Sequence, residues 1–340
     1  MTDLVLLTGI SGFVGGHVAL ALLKAGYRVR GSVRDLGKVD KVRATLAKAG
    51  GDVSRLEFAA LDLLSDNGWD EAMAGARYLQ HTASPFVIRQ PKDRSDLVKP
   101  AVEGTRRAVE AALGAGVERI VLTSSMAAIM YGHDKQRSAP FGPNDWTDPD
   151  APDVSAYTES KLRAEKTAWA MMEAAGRRAD LASINPGSIL GPLLDNDPGT
   201  SVGLLARMFD GSLPATARFY QVVVDIRDVA EAHVKAMTSP LAGGQRFPMG
   251  SGTLSLLQMA DTLRPAIPER ANKLPRFEAP DWLVRIFAVF DVDARGNLGE
   301  LGVFKSADSS AVVALLGHKL ISAEDATIAA GRSLIAQGVA

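Results

Sequence analysis

The residues whose types and spacing could do chemistry lie in the run Ser155–Lys161, SAYTESK. Tyr157 and Lys161 are four residues apart, which on a helix puts them one turn apart on the same face. An ammonium beside a phenol stabilises the phenolate, so a group with an ordinary pKa of about 10 can exchange protons nearer neutrality. Upstream, the apolar run Arg119–Met126, RIVLTSSM, ends in hydroxyls. It reads as a buried strand whose C-terminal end delivers a hydrogen-bond donor, with Ser125 the candidate and Ser124 its neighbour. A Tyr–Lys pair at this spacing also occurs on ordinary solvated helices. What sets this one apart is the chain that has to position it.

Leu4–Thr8, LVLLT, is wholly apolar and suits a central parallel strand buried on both faces. Gly9, Gly12 and Gly15 follow in the spacing GxxGxxG and lead into an apolar helix that runs to about Leu23. Glycine there permits a tight turn, close approach of backbone to a pyrophosphate, and close packing of helix on strand. One glycine would serve an ordinary connection. Three predict a dinucleotide site made by Thr8, Gly9, Gly12, Phe13, Val14 and Gly15. The second strand, Tyr27–Val33, leads into Arg34-Asp35, where an acid would take a ribose 2′-hydroxyl. Arg34 comes first, with Lys38 and Lys41 on the next helix, and a guanidinium suits a 2′-phosphate instead. Asp35 leaves room for the unphosphorylated cofactor.

The third strand, Leu56–Ala60, ends near Asp62 and Leu63, and Asp62 could reach an adenine edge. The fourth, Arg77–His81, is followed by Thr82, Ala83 and Ser84, small enough to let backbone lie against a ribose, and then by Phe86, a candidate pocket side chain with Met126. A helix over 93–114 contains Pro100 and Gly104, and Arg119–Thr123 is the fifth strand, with Thr123 on the cofactor side. The polar segment Tyr131–Val154 is too long for a simple connector and predicts a wall or lid of the substrate site. A helix over Ser155–Ala175 and a strand over Asp180–Ile184 come next, then a turn whose Pro186, Gly187 and Ser188 would face the cofactor.

This alternation predicts an α/β fold with a doubly wound parallel sheet. Beyond Gly191 the rhythm breaks. The expected organisation is a dinucleotide-binding domain over 1–191, with 222–250 returning to it, and a smaller C-terminal substrate-binding cap over 192–221 and 251–340. Asp225, Arg227 and Asp228 open a helix and read as cap and ion pair. The aromatics of the cap, Trp282 and Phe287 among them, read as core.

Composition removes several classes of function. A net charge of −1 with 23% charged residues gives no electrostatic reason to expect nucleic acid or an acidic membrane as partner. With no cysteine there are no disulfides and no thiolate chemistry, and the five histidines have no ligand spacing, so no metal is expected. His81 reads as a packed histidine. The first apolar run is too short for a signal segment, and none approaches the roughly 18 residues of a membrane span. A cytoplasmic protein, monomer or homodimer, is expected, with a small molecule as partner.

The quoted residues also carry a resemblance that extends over nearly the whole chain. TGISGFVG, RIVLTSS, YTESK, NPGSILGP and VVDIRDVAEAH resemble the extended short-chain dehydrogenase/reductase family. Within it, VRGSVRD, HTASPF, KPAVEGT and TSSMAA are similar to dihydroflavonol reductases, cinnamoyl-CoA reductases and fungal methylglyoxal or isovaleraldehyde reductases. Sugar-nucleotide epimerases of that family usually carry an Asn where this chain has Lys99-Pro100-Ala101. The resemblance implies a Rossmann sheet, NADP(H), and NADPH-dependent reduction of aldehydes or ketones to alcohols. It implies Tyr157 as general acid and Lys161 as the group that lowers its pKa and binds the nicotinamide ribose. Ser125, the second hydroxyl of the motif, would polarise the carbonyl. The alternatives are an alcohol or hydroxysteroid-type dehydrogenase, a nucleotide-sugar epimerase or dehydratase, and a non-catalytic NADP-binding sensor. The presence of both Tyr157 and Lys161 argues against the last.

Overall fold

The computed structural model describes residues 3–85, 93–152, 154–211, 213–289, 295 and 298–340; Phe86 lies outside them. The first half alternates strand and helix as β1 (Leu4–Thr8), α1 (Phe13–Lys24), β2 (Arg28–Val33), α2 (Val39–Lys48), β3 (Leu56–Ala60), α3 (Trp69–Met73) and β4 (Tyr78–His81). It continues with α4 (Ser95–Gly114), β5 (Arg119–Thr123), α5 (Ala156–Ala174) and β6 (Leu181–Pro186). Then follow β7 (Ser188–Leu190), α6 (Ser201–Phe209), β8 (Tyr220–Asp225), α7 (Ile226–Thr238), β9 (Arg246–Met249) and β10 (Gly252–Ser255). The chain ends in α8 (Leu256–Ala266), α9 (Asp281–Phe287), α10 (Ser310–Leu316) and α11 (Ala323–Ala336).

Seven strands pair in parallel in the order β3-β2-β1-β4-β5-β6-β9. The sheet is the doubly wound Rossmann sheet expected from the alternation. Every residue of β1 is buried because helices cover both faces. Val5 and Leu7 point into a core shared with α1, α7 and α10, while Leu6 points into one shared with α3, α4 and α5. The winding reverses between β1 and β4, and ligands of open α/β sheets bind outside the strand ends at that reversal. The glycine loop after β1 and Thr82–Ser84 after β4 both lie there.

A second sheet of three strands, β10-β8-β7, and the helices α6, α8 and α11 enclose a separate core around Leu205, Phe209, Leu263 and Leu334. β8 belongs to this small sheet, whereas α7 and β9 return to the large one. The expected core placement of Trp282 and Phe287 does not hold. Two-turn α9 is anchored through buried Val284, with Ala288 buried just beyond its end, and leaves Trp282 63% and Phe287 61% exposed. No helix of the described residues is long and apolar enough to cross a membrane.

Candidate active site

The glycine loop fits a dinucleotide by its own geometry. Gly9 has φ +73°, in the left-handed region, and a side chain there would also meet Ala83 at 2.9 Å. α1 begins with no side-chain cap and no acid in its first turn, so its leading amides remain available to an anion. Phe13 and Val14 open that helix, and exposed Gly12 holds the turn through its amide, which donates to the Gly9 carbonyl at 3.0 Å. The Thr8 hydroxyl accepts from the Ala83 amide (3.1 Å) and pairs with His81 Nδ1 (2.9 Å). Thr82 donates to the Thr8 carbonyl at 2.6 Å. The two sides of the cleft are thus fixed to each other. Burial, with Lys161 nearby, lowers the His81 pKa to about 4, so it is a neutral packed histidine.

At the end of β2, Arg34 is exposed and makes no ion pair among the described residues. Asp35 turns its carboxylate back to accept from the Gly37 amide at 2.8 Å, capping the next turn rather than facing Arg34. Lys38 is exposed. Lys41 is engaged with Asp195, 3.0 Å away in the segment before α6. Asp62 is exposed and accepts from the Leu64 amide, and Leu63 packs on Gly104 of α4.

Ser155 caps α5 through the Thr158 amide (3.1 Å) and places Tyr157 in its first turn, with Lys161 on the next. Lys161 Nζ lies 5.8 Å from the centre of the Tyr157 ring. Burial raises the Tyr157 phenol above its ordinary value, and the nearby Ser125 hydroxyl offsets that only in part. Burial also lowers Lys161 to about 8. Ser125 caps the short turn Met126–Ala128, and its hydroxyl reaches the Pro186 carbonyl at 3.5 Å. Ser124 points the other way, donating to buried Glu165 at 2.6 Å. Of the two hydroxyls, Ser124 is thus committed to Glu165. Thr123 pairs with His233 at 3.0 Å.

Other expectations are corrected. Met126 is fully buried with Ile129 and Phe141, so it packs behind Ser125 and shows no surface to a substrate. The described part of the segment Tyr131–Val154 is fastened at several points. Thr147 bonds Ala127, Ala128 and Tyr131, and Phe141 bridges to Ser306 and Asp308. It is a wall. Gly187 presses on β8, where a Cβ would meet the Val222 carbonyl at 2.1 Å, and Ser188 donates to Gln221 at 2.5 Å. Both side chains of that pair line a cavity of about 760 Å³ with Leu190, Thr200, Leu204 and Met259.

Sequence reasoning missed Glu165 and Arg246. Glu165 continues the Tyr157–Lys161 spacing by another four residues. Arg246 is a charge inside strand β9, all four residues of which are buried. The two form a buried ion pair at 2.7 Å.

A Rossmann sheet with a glycine loop at its reversal defines a dinucleotide-binding α/β protein. The chain belongs to the NAD dependent epimerase/dehydratase family, whose model matches residues 5–250. It is 35% identical to a cinnamoyl-CoA reductase of rice, Oryza sativa subsp. japonica, over 79% of this chain and 78% of the relative. It is 32% identical to a ketoreductase of Aspergillus niger over 84% and 89%. Among solved structures, Gre2 of Candida albicans in complex with NADPH superposes with a TM-score of 0.81 at 25% identity, over 98% of this chain and 99% of that one.

Proposed function

We propose that the chain is an NADPH-dependent carbonyl reductase that converts aldehydes or ketones to alcohols. The observation that carries this reading is the convergence of three groups: the Ser125 hydroxyl is near enough to the Tyr157 phenol to hold its pKa down against burial, and Lys161 Nζ lies 5.8 Å from the centre of the same ring. Reductase relatives aligned over more than three quarters of the chain, and the NADPH complex of a structural neighbour, support it.

When bound, the nicotinamide supplies the hydride. Gly9, Gly12 and the amides of Phe13, Val14 and Gly15 would hold the pyrophosphate, and Arg34 with Lys38 the 2′-phosphate. Lys41 would join them only by leaving Asp195. Asp62 and Leu63 would flank the adenine, while Thr82–Ser84, Thr123, Lys161 and Pro186–Ser188 would flank the nicotinamide ribose and ring. Ser125 orients the substrate oxygen, and Tyr157 gives it the phenolic proton. Lys161 in its ammonium form stabilises the phenolate left behind. The cavity beside Ser188 receives the rest of the substrate. In this reading 1–191 and most of 222–250 serve the cofactor, and the remainder is the cap.

The test is NADPH and NADH oxidation over a panel of aldehydes and ketones. Tyr157→Phe should lose at least ~10²-fold in kcat while binding NADPH as the wild type does. Wild-type turnover by that variant, or no turnover of any carbonyl by the wild type, overturns the reading. Arg34→Ala should raise the KM for NADPH about tenfold or more and leave NADH nearly unchanged, since a charge-assisted bond contributes roughly 1.5–3 kcal/mol. Equal use of both cofactors by the wild type would remove Arg34 from the site.

A further inference from the structure

We propose that Glu165, with its partner Arg246, is a positioning residue for this reduction, holding Ser125 and the Tyr157–Lys161 turn in register; the inference rests on the triad assigned above. Glu165 is 1% exposed, and its carboxylate accepts from five side chains. They are Ser124 (2.6 Å), Trp169 (3.2 Å), Ser183 (2.8 Å), Asn185 (2.8 Å) and Arg246 (2.7 Å). Four of those donors come from other parts of the chain: the residue after β5, two positions in β6, and β9.

Each proposed catalytic group is one short step from this carboxylate. Ser124 is the backbone neighbour of Ser125. Asn185 touches both Glu165 and the Ser125 carbonyl (3.4 Å), and it precedes Pro186, whose carbonyl faces the Ser125 hydroxyl. Lys161 is one helical turn before Glu165, and Tyr157 two. Arg246 carries the connection further, donating to the carbonyls of Pro143 and Asp145 (both 2.7 Å) with its guanidinium 3.5 Å from the Trp146 ring centre. The wall of the site is therefore tied to the same point as the triad.

Burial alone would push the Glu165 carboxyl up, but Arg246 and the hydroxyl donors hold it below its ordinary range, so it is a charge. Buried ion pairs are often replaceable by apolar side chains at little cost in stability. This one gives five directional contacts among elements that no single apolar side chain could register. An error of an ångström at a reacting centre can cost about 10²-fold in rate, which is the size of effect at stake.

The experiment compares Glu165→Gln, Arg246→Met, the double variant Glu165→Met/Arg246→Met, and Ser124→Ala with the wild type in kcat, NADPH Kd by fluorescence titration, and Tm. Glu165→Gln should lower kcat by about 10- to 100-fold and leave Kd within about threefold. The pyrophosphate loop hangs on β1 and β2, which the carboxylate does not touch. The double variant removes both charges and should recover Tm relative to Arg246→Met alone, yet kcat should stay low. Recovery of kcat together with Tm would show a purely structural pair and overturn the inference. If the double variant does not fold, Ser124→Ala decides, with about tenfold lower kcat expected at unchanged Kd and wild-type kcat overturning it. Tyr157→Phe is run alongside. An inactive Tyr157→Phe with a fully active Glu165→Gln removes only this inference, whereas an active Tyr157→Phe removes the triad beneath it.

Discussion

A Cβ added to Gly12 would meet one protein atom, the Gly9 carbonyl oxygen at 3.5 Å, whereas a Cβ on Gly15 would lie 2.1 Å from that same oxygen. The loop's own packing therefore demands glycine at 15 and tolerates a side chain at 12. If Gly12 is glycine for the sake of the pyrophosphate, Gly12→Ala should keep the wild-type Tm while weakening NADPH binding at least tenfold. Gly15→Ala should instead lower stability by about 1–3 kcal/mol through overpacking against backbone. Thermal melts and a cofactor titration separate the two, and wild-type affinity in Gly12→Ala would count against the loop as phosphate site. Lys161 yields a second prediction. Burial lowers it to about 8, so the ammonium that the reaction needs is present below that pH and lost above it. A plot of kcat against pH should fall as pH rises through about 8. The stability effect has the opposite sign. Between about 8 and its ordinary pKa of about 10.4 the unfolded chain binds the proton and the folded one does not, so this group's contribution to stability rises with pH across that window. A flat profile from pH 7 to 10 would show that the charge on Lys161 is dispensable.

At the scale of elements, the segment between Tyr131 and Val154 shows what contact information adds to sequence. Its length and polarity suggest a mobile closure, but the Arg246 guanidinium, the Thr147 hydroxyl and the Phe141 bridge fasten it at three places. Amides of Tyr131, Phe141, Thr147 and Asp148 should exchange slowly in the cofactor-free protein and change little when NADPH and a substrate analogue are added. Protection that appears across the whole segment only in the ternary complex would restore the lid. The large sheet was readable because its central strands β1 and β5 are apolar runs buried on both faces, and because glycine and hydroxyl residues mark the strand ends. α4 stays continuous through Pro100 and Gly104, the latter packed against Leu63. β7 and β10 were not readable: three and four residues beside glycines have no periodicity, and their pairing with β8 joins segments far apart in sequence. The Glu165 contacts escaped for the same reason. Carboxylate and donors are local in space and scattered along the chain, whereas Tyr157 and Lys161 announce themselves by spacing.

For the whole molecule, the decisive feature is how often the chain passes between the large sheet and the cap. It leaves after β6 and returns at α7 and β9. It leaves again at β10 and comes back once more as α10, whose Val312, Leu315 and Leu316 complete the core on one face of the large sheet. After six intervening residues α11 begins, and its Ala326, Ala330 and Leu334 belong to the cap core instead. Side-chain links across the halves repeat the pattern, with His17 reaching the Pro192 carbonyl at 2.9 Å and Lys41 paired with Asp195. Neither half contains all of its own core in one stretch, so neither should unfold alone. Calorimetry should show a single transition whose van't Hoff and calorimetric enthalpies agree. Saturating NADPH should move that whole transition upward by linkage, including the cap, even though the glycine loop lies on the other half. A chain ending at residue 305 lacks both closing helices and should lose the transition entirely, not just its cap component. Two resolved transitions in the intact protein, only one of them moved by NADPH, would mean that the halves are energetically independent despite the interleaving of the chain.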